Sequence, residues 1–274
     1  MATVTIYGSD DITADLPSLG FEPGNGLFVH SSLSKIGYVS GGPRGLIEAL
    51  VRAVGPNGLI GMPGFSRDAD DPVEQLGIGV DPAQHADIRR QVPGFDRMRS
   101  NVRQNGAVPK AFKRWPGVVR SHHPTSSVLL FGRDAEAMAA KYAPLGWATG
   151  PDTPWGRLSE RQAMKILLTG IGWNRCSALH AAESVAEHKR ETIRKFKNGS
   201  GADARWTEAP DVANDLGTLS PRVGKAWERQ GGVRIGKIGE ADSRLTDYDP
   251  LLIFASEWIS ACNAKGKKPC CPED

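Results

Sequence analysis

No stretch of this 274-residue chain approaches the roughly 20 apolar residues that a membrane helix requires. The first eleven residues, Met1 to Asp11, carry no basic leader and no long apolar core, so they do not read as a secretory signal. A cytoplasmic protein is the expectation. Cysteine is scarce: Cys176, Cys262, Cys270 and Cys271 are too few and too bunched for a disulfide scaffold. An excess of one charge is missing as well, since 34 basic side chains face 31 acidic ones, a net +3 that gives no footing for nucleic acid. There is no Walker A loop and no G-x-G-x-x-G, which removes two common nucleotide cradles.

What is present is an ordinary globular balance, 39% hydrophobic and 24% charged, in a chain long enough to bury a sizeable core. Short apolar runs alternate with helical spacing. Leu27–His30, Leu59–Pro63, Ser127–Phe131 and Lys165–Thr169 read as strands. Between the first two, Pro43 opens a helix with Leu46, Ile47, Leu50, Val51 and Val54 on one face, and Gly55-Pro56-Asn57-Gly58 ends it. Asp134–Tyr142 is expected to be helical. The pattern predicts an α/β protein with a mixed central sheet, flanking helices and a cleft. One domain over 1–274, two-lobed around that cleft, is expected, with a flexible tail over 263–274. Ser66 to Asn105 lacks a sustained period and reads as a long irregular segment. From Glu191 onward the chain turns β-like (Thr192–Lys197, Ala204–Glu208, Val233–Ile238) before an amphipathic helix over Pro250–Ala264.

Five segments carry chemistry. In Ser177-Ala-Leu-His-Ala-Ala-Glu183, after the run Lys165–Gly172, His180 and Glu183 share a helical face at a strand end. A histidine held there can accept a proton at neutral pH. His180 with Glu183 lacks the second histidine of the familiar zinc motifs, so no metal is expected. Cys262 with Cys270 and Cys271 has spacing open to zinc, although a reduced, partly disordered tail is the plainer reading. The segment Val29–Pro43 offers hydroxyls, paired glycines and a helix N-terminus to an extended polar ligand. In Arg120-Ser-His-His-Pro124, Pro124 pushes His123 toward an extended conformation. Downstream, Glu208 and Asp211 are alternative carboxylates for orienting a histidine, and spacing does not choose between them. Finally Asp68, Asp70, Asp71 and Glu74 form either a solvated loop or an anionic lip for a cationic substrate.

Taken in order, these segments resemble the aminoglycoside 3-N-acetyltransferase family, whose fold is unrelated to the more common acetyltransferase superfamily. The likeness rests on His30-Ser-Ser-Leu-Ser34 with Gly37-Tyr-Val-Ser-Gly-Gly42, Met62-Pro-Gly-Phe-Ser66, Arg103-Gln-Asn-Gly106, Arg120-Ser-His-His-Pro124, Leu168-Thr-Gly-Ile-Gly172 and Ala178-Leu-His-Ala-Ala-Glu183. It spans Pro23 to the final helix, nearly the whole chain. The resemblance implies acetyl transfer from acetyl-CoA to the 3-amino group of a 2-deoxystreptamine ring, directly and without a covalent enzyme intermediate. It implies His180 as general base, Asp211 as the carboxylate that orients it, and His123 and Glu183 close by. Ser31, Ser32 and Leu33 with Val39, Ser40, Gly41 and Gly42 would contact the CoA pantetheine and phosphates. Gly64 departs from the Thr frequent in the family's Met-Pro-Thr-Phe segment, and Lys189–Trp206 is unlike most relatives. The expected partners are CoA and an aminoglycoside, with no nucleic acid and no membrane, for a monomer or homodimer. An acyltransferase of the same fold acting on another amine, and a non-catalytic binder of CoA or antibiotic, are the alternatives.

Overall fold

The computed structural model describes residues 4–76, 79–140, 145–213 and 218–264. A short strand β1 (Ile6–Tyr7) and helix α1 (Ser9–Ser18) precede β2 (Gly26–Ser31). Then come α2 (Leu33–Ile36), β3 (Tyr38–Val39), α3 (Pro43–Val54) and β4 (Leu59–Pro63). Among its described residues, the segment expected to be irregular holds α4 (Pro72–Leu76), α5 (His85–Gln91) and two single 3-10 turns. Next are α6 (Ala107–Phe112), β5 (Val119–Arg120), β6 (Val128–Gly132), α7 (Ala135–Ala139), α8 (Pro154–Glu160), β7 (Met164–Thr169) and α9 (Ala178–Val185). The chain continues through β8 (Glu191–Asn198), β9 (Arg205–Val212), α10 (Leu219–Arg229), β10 (Val233–Ile238), β11 (Ala241–Asp247) and α11 (Tyr248–Ala264).

Seven strands form one mixed sheet in the order β10-β11-β7-β2-β4-β6-β5. The central three, β7, β2 and β4, run parallel, and the outer pairings are antiparallel. Central strands covered on both faces must be apolar throughout, and Leu27, Phe28, Val29, Ile60, Met62, Ile166, Leu167 and Leu168 are all buried. Alternation along each strand divides them between two cores. Phe28, Ile166 and Leu168 join Trp155, Ala178, Ala182 and the apolar side of α11 on one face. Leu27, Val29, Ile60 and Leu167 meet α1, α3 and α6 on the other. α3 begins with Pro43 and is stopped by Gly55 in the left-handed region, φ 66°.

β8 and β9 stand apart as an antiparallel hairpin. Backbone bonds from Lys197 N to Ala69 O (2.7 Å), Phe95 N to Lys197 O (2.9 Å) and Asp71 N to Lys195 O (3.1 Å) dock the 66–105 segment on it. The predicted strands recur within four residues of their expected ends, and Leu59–Pro63 and Val233–Ile238 coincide with theirs. The helix expected over Asp134–Tyr142 is short, and Tyr142 lies outside the described residues. α1, α6, α8 and α10 have no counterpart in the sequence reading. The sequence signal of α8 is blurred by the surrounding Gly, Pro and Asp, yet Thr153 caps it by accepting Trp155 N–H at 3.2 Å. Residues 265–274, with Cys270 and Cys271, lie outside the described residues; Asn263 and Ala264 complete α11.

Candidate active site

The parallel strands β2 and β7 end side by side, Ser31 paired with Thr169. At this carboxyl edge of an open α/β sheet ligands and reactive groups collect. β2 delivers His30 there, and the loop after β7 delivers α9 with His180. His30 is buried against the Phe28 ring, 5.3 Å between centroids, and its Nε2 accepts the Ser177 N–H at 3.4 Å. Burial, with the neighbouring His180 adding to it, pushes its pKa down to about 3, so His30 stays neutral and weakly basic. His180 itself is only half-buried. Two hydroxyls converge on its backbone oxygen, Thr149 Oγ1 at 3.0 Å and Ser184 Oγ at 2.9 Å. These two bonds hold the histidine by its main chain.

His123 is fully buried. Its Nδ1 accepts the N–H groups of Thr125 (3.2 Å) and Ser126 (3.0 Å), which leaves the proton on Nε2 to be donated to Leu145 O at 3.2 Å. Burial holds its pKa at about 4. Nδ1 thus serves the turn before β6, and Nε2 ties that turn to Leu145. Asp211 is buried on β9, where Oδ2 takes Arg194 Nε at 2.8 Å and Oδ1 takes Ala148 N–H at 3.3 Å. Glu208 points to the opposite, exposed side and pairs with Lys195 at 2.9 Å. Glu183 is buried on α9 and pairs with Arg190 at 2.9 Å.

One element that sequence reasoning missed draws these groups together. The strap 145–150 gives Leu145 O to His123, Ala148 N–H to Asp211 and Thr149 Oγ1 to the His180 carbonyl. Its only sequence signal is the pair Gly146 and Gly150 around Trp147. Arg120 is a second missed participant. Buried, with its pKa lowered to about 10 by that burial, it donates to Gly64 O (2.7 Å), Ser100 O (2.6 Å) and Ser127 Oγ (2.9 Å). It ties the end of β4 to the 96–100 turn.

The acidic stretch differs from an open lip. Asp71 is enclosed, its carboxylate paired with Arg89 at 2.7 Å and capping Val73 N–H at 3.1 Å. Asp68 is half-buried and accepts Asn101 N at 3.0 Å and Nδ2 at 2.6 Å. Asp70 is half-buried and bridges to Phe196, which leaves Glu74 as the exposed member. A charge run reads as solvated in sequence because its partners, Arg89 and Asn101, lie 18 and 33 residues from the carboxylates they meet.

In the Ser31–Gly42 segment, Ser31, Ser32 and Leu33 are half-buried, Ser40 and Gly41 are exposed, and Val39 is buried in the core. Gly41 and Gly42 adopt left-handed φ values of 76° and 58°. A side chain at Gly45 would collide with Ser40 O, so the loop folds back tightly on the start of α3. Among the described residues no three His, Cys, Asp or Glu side chains gather as a metal site. The Cys176 thiol is buried and pushed up to about 12, which removes it as a nucleophile at neutral pH. No described helix is long and apolar enough to cross a membrane.

The family model for aminoglycoside 3-N-acetyltransferase matches residues 28–260. The chain is 30% identical, over 94% of each protein, to the SPbeta prophage-derived aminoglycoside N(3')-acetyltransferase-like protein YokD of Bacillus subtilis (strain 168). The YokD crystal structure superposes with a TM-score of 0.90 at 29% identity, covering 96% of this chain and 97% of that one. AAC-VIa bound to sisomicin matches at TM-score 0.82 and 30% identity, over 94% and 98% of the two chains. AAC-IIIb in a binary complex with CoASH matches at 0.81 and 27%, over 94% and 97%. With its mixed sheet, its histidine-bearing helix at the carboxyl edge and a match across most of its length, the chain belongs to the aminoglycoside 3-N-acetyltransferase family.

Proposed function

We propose that this protein transfers the acetyl group of acetyl-CoA directly to the 3-amino group of the 2-deoxystreptamine ring of aminoglycosides, with His180 as general base. One observation carries the assignment of the base. Three histidines gather at the sheet edge, and two of them, His30 and His123, are buried and held neutral with pKa values near 3 and 4. Of the three, only His180 keeps part of its surface exposed. The solved relatives bound to CoASH and to sisomicin support the two substrates.

In the step itself the amine nitrogen attacks the thioester carbonyl carbon while its proton passes to His180. The C–S bond breaks, the coenzyme leaves as a thiolate that is then protonated, and the amide remains. An ammonium has no free electron pair, so the base is what makes the amine a nucleophile. Ser31, Ser32 and Leu33 with Val39, Ser40, Gly41 and Gly42 are the proposed seat of the coenzyme, where hydroxyls and backbone N–H groups meet the start of α3. Asp211 is proposed to act through the strap and Arg194 on the geometry around His180, with Glu183 and His123 holding the same framework. Asp68, Asp70 and Glu74 are proposed to bias the local field toward cations, with Glu74 the member open to contact, while the charge of Asp71 is taken up by Arg89.

A thiol-release assay with acetyl-CoA and a panel of aminoglycosides tests the reading. His180→Ala should lose at least about two orders of magnitude in kcat, the usual scale for a general base, while acetyl-CoA binding survives. Near-normal turnover in a folded variant would reject the assignment.

A further inference from the structure

Trp147 sits in the strap with φ 53°, the left-handed region that a bulky aromatic side chain seldom adopts. Glycines on either side at 146 and 150 offered cheaper places for such a bend, and the chain put it on tryptophan instead. The conformation is fixed from both ends: Trp147 N–H donates to Pro210 O at 2.7 Å, and Trp147 O accepts Gly150 N–H at 2.7 Å. The next residue along holds Asp211, and the one after holds the His180 carbonyl. Strain of this kind collects where a side chain must be presented in one direction. The ring is half-buried, and the Lys189 ammonium lies 4.9 Å from its centroid. Among the described residues no carboxylate pairs with Lys189, so the ring is what holds that ammonium.

We propose that Trp147 is a specificity-determining residue whose indole face receives an ammonium group of the substrate, in the place that the Lys189 ammonium takes in this structure. The inference rests on the reading of the protein as an aminoglycoside acetyltransferase. Such a substrate carries several ammonium groups, and the one on the indole is not the one that reacts. Exchanging one cation for another over the ring breaks no ion pair, so Lys189 keeps the face ordered without closing it. The attraction of an ammonium to an indole face corresponds to about three- to thirty-fold in affinity, by degree of desolvation.

The test is steady-state kinetics and calorimetric titration with sisomicin and acetyl-CoA on the full-length enzyme. Trp147→Ala should raise the KM and Kd for sisomicin about three- to thirty-fold, with kcat within about twofold and the KM for acetyl-CoA unchanged. Trp147→Phe should recover part of the loss. Trp147→Gly should show the same KM effect with an unchanged or higher Tm, since glycine relieves the backbone while removing the ring. Lys189→Met should lower the KM for sisomicin or leave it unchanged. The proposal is overturned if Trp147→Ala binds sisomicin as wild type does, if neither binds it, or if Lys189→Met weakens binding as much as Trp147→Ala. Binding weakened by Trp147→Ala in an enzyme that shows no acetyl transfer would sink the proposed activity and leave this inference standing.

Discussion

Asp211 and Glu208 lie three residues apart on one strand and have opposite fates, and a strand's period of two explains why. Ala209 and Asp211 share the inward face of β9, while Glu208 and Pro210 face out. Glu208 stands directly opposite Lys195 in the hairpin register, and their ion pair sits on the exposed surface. Exposed pairs contribute about 0–1 kcal/mol, so Glu208→Gln should leave stability within about 0.5 kcal/mol and kcat unchanged. Asp211 is diagonal to Arg194, two positions on from the residue Arg194 faces, and the pair is partly enclosed. Asp211→Asn should lower kcat about tenfold or more with little change in the KM for acetyl-CoA, because the strap that also grips His180 loses its anchor. A steady-state comparison of the two variants decides it; greater damage from Glu208→Gln would reverse the roles. Spacing in the sequence left both carboxylates open, and only the strand parity with its cross-strand partner separates them.

Elements bounded by local chemistry were the most legible. β2, β4, β6 and β7 follow from apolar runs, and α3 from Pro43, its spacing and Gly55. The helix carrying His180 was legible for the same reason. The strap, by contrast, works through bonds to residues between 22 and 63 positions away, which no local pattern encodes. The acidic segment shows the same limit. Asp71 is enclosed while Arg89 keeps 30% of its side chain exposed. Removing one partner of a buried ion pair costs about 3–5 kcal/mol, and somewhat less where the other partner reaches water. Asp71→Asn should therefore lower unfolding free energy by about 2–3 kcal/mol, read as a shift in the denaturant midpoint, with the KM for an aminoglycoside unchanged at low salt. A raised KM that weakens with added salt, at unaltered stability, would restore the open-lip reading of this carboxylate.

At the scale of the whole molecule, the two buried histidines tie the fold to pH. His30 and His123 are held near pKa 3 and 4 by burial, against an ordinary value of 6.5. Above pH 6.5 neither is protonated in either state, and neither affects stability. As pH falls below 6.5 the unfolded chain takes up two protons that the folded chain refuses, so stability falls with pH. Each contributes roughly 1.4 kcal/mol per pH unit, His123 down to about pH 4 and His30 down to about pH 3. The window from pH 6 to 4.5 lies above the ordinary pKa of the aspartates, so the histidines dominate it. Denaturant midpoints across that window should drop at about the two-proton slope. His123→Asn, whose Oδ1 can stand in for Nδ1 toward Thr125 and Ser126, should roughly halve that slope. A midpoint that stays level from pH 6.5 to 4.5 would show that the two imidazoles take up protons in the folded chain and are not held neutral by burial.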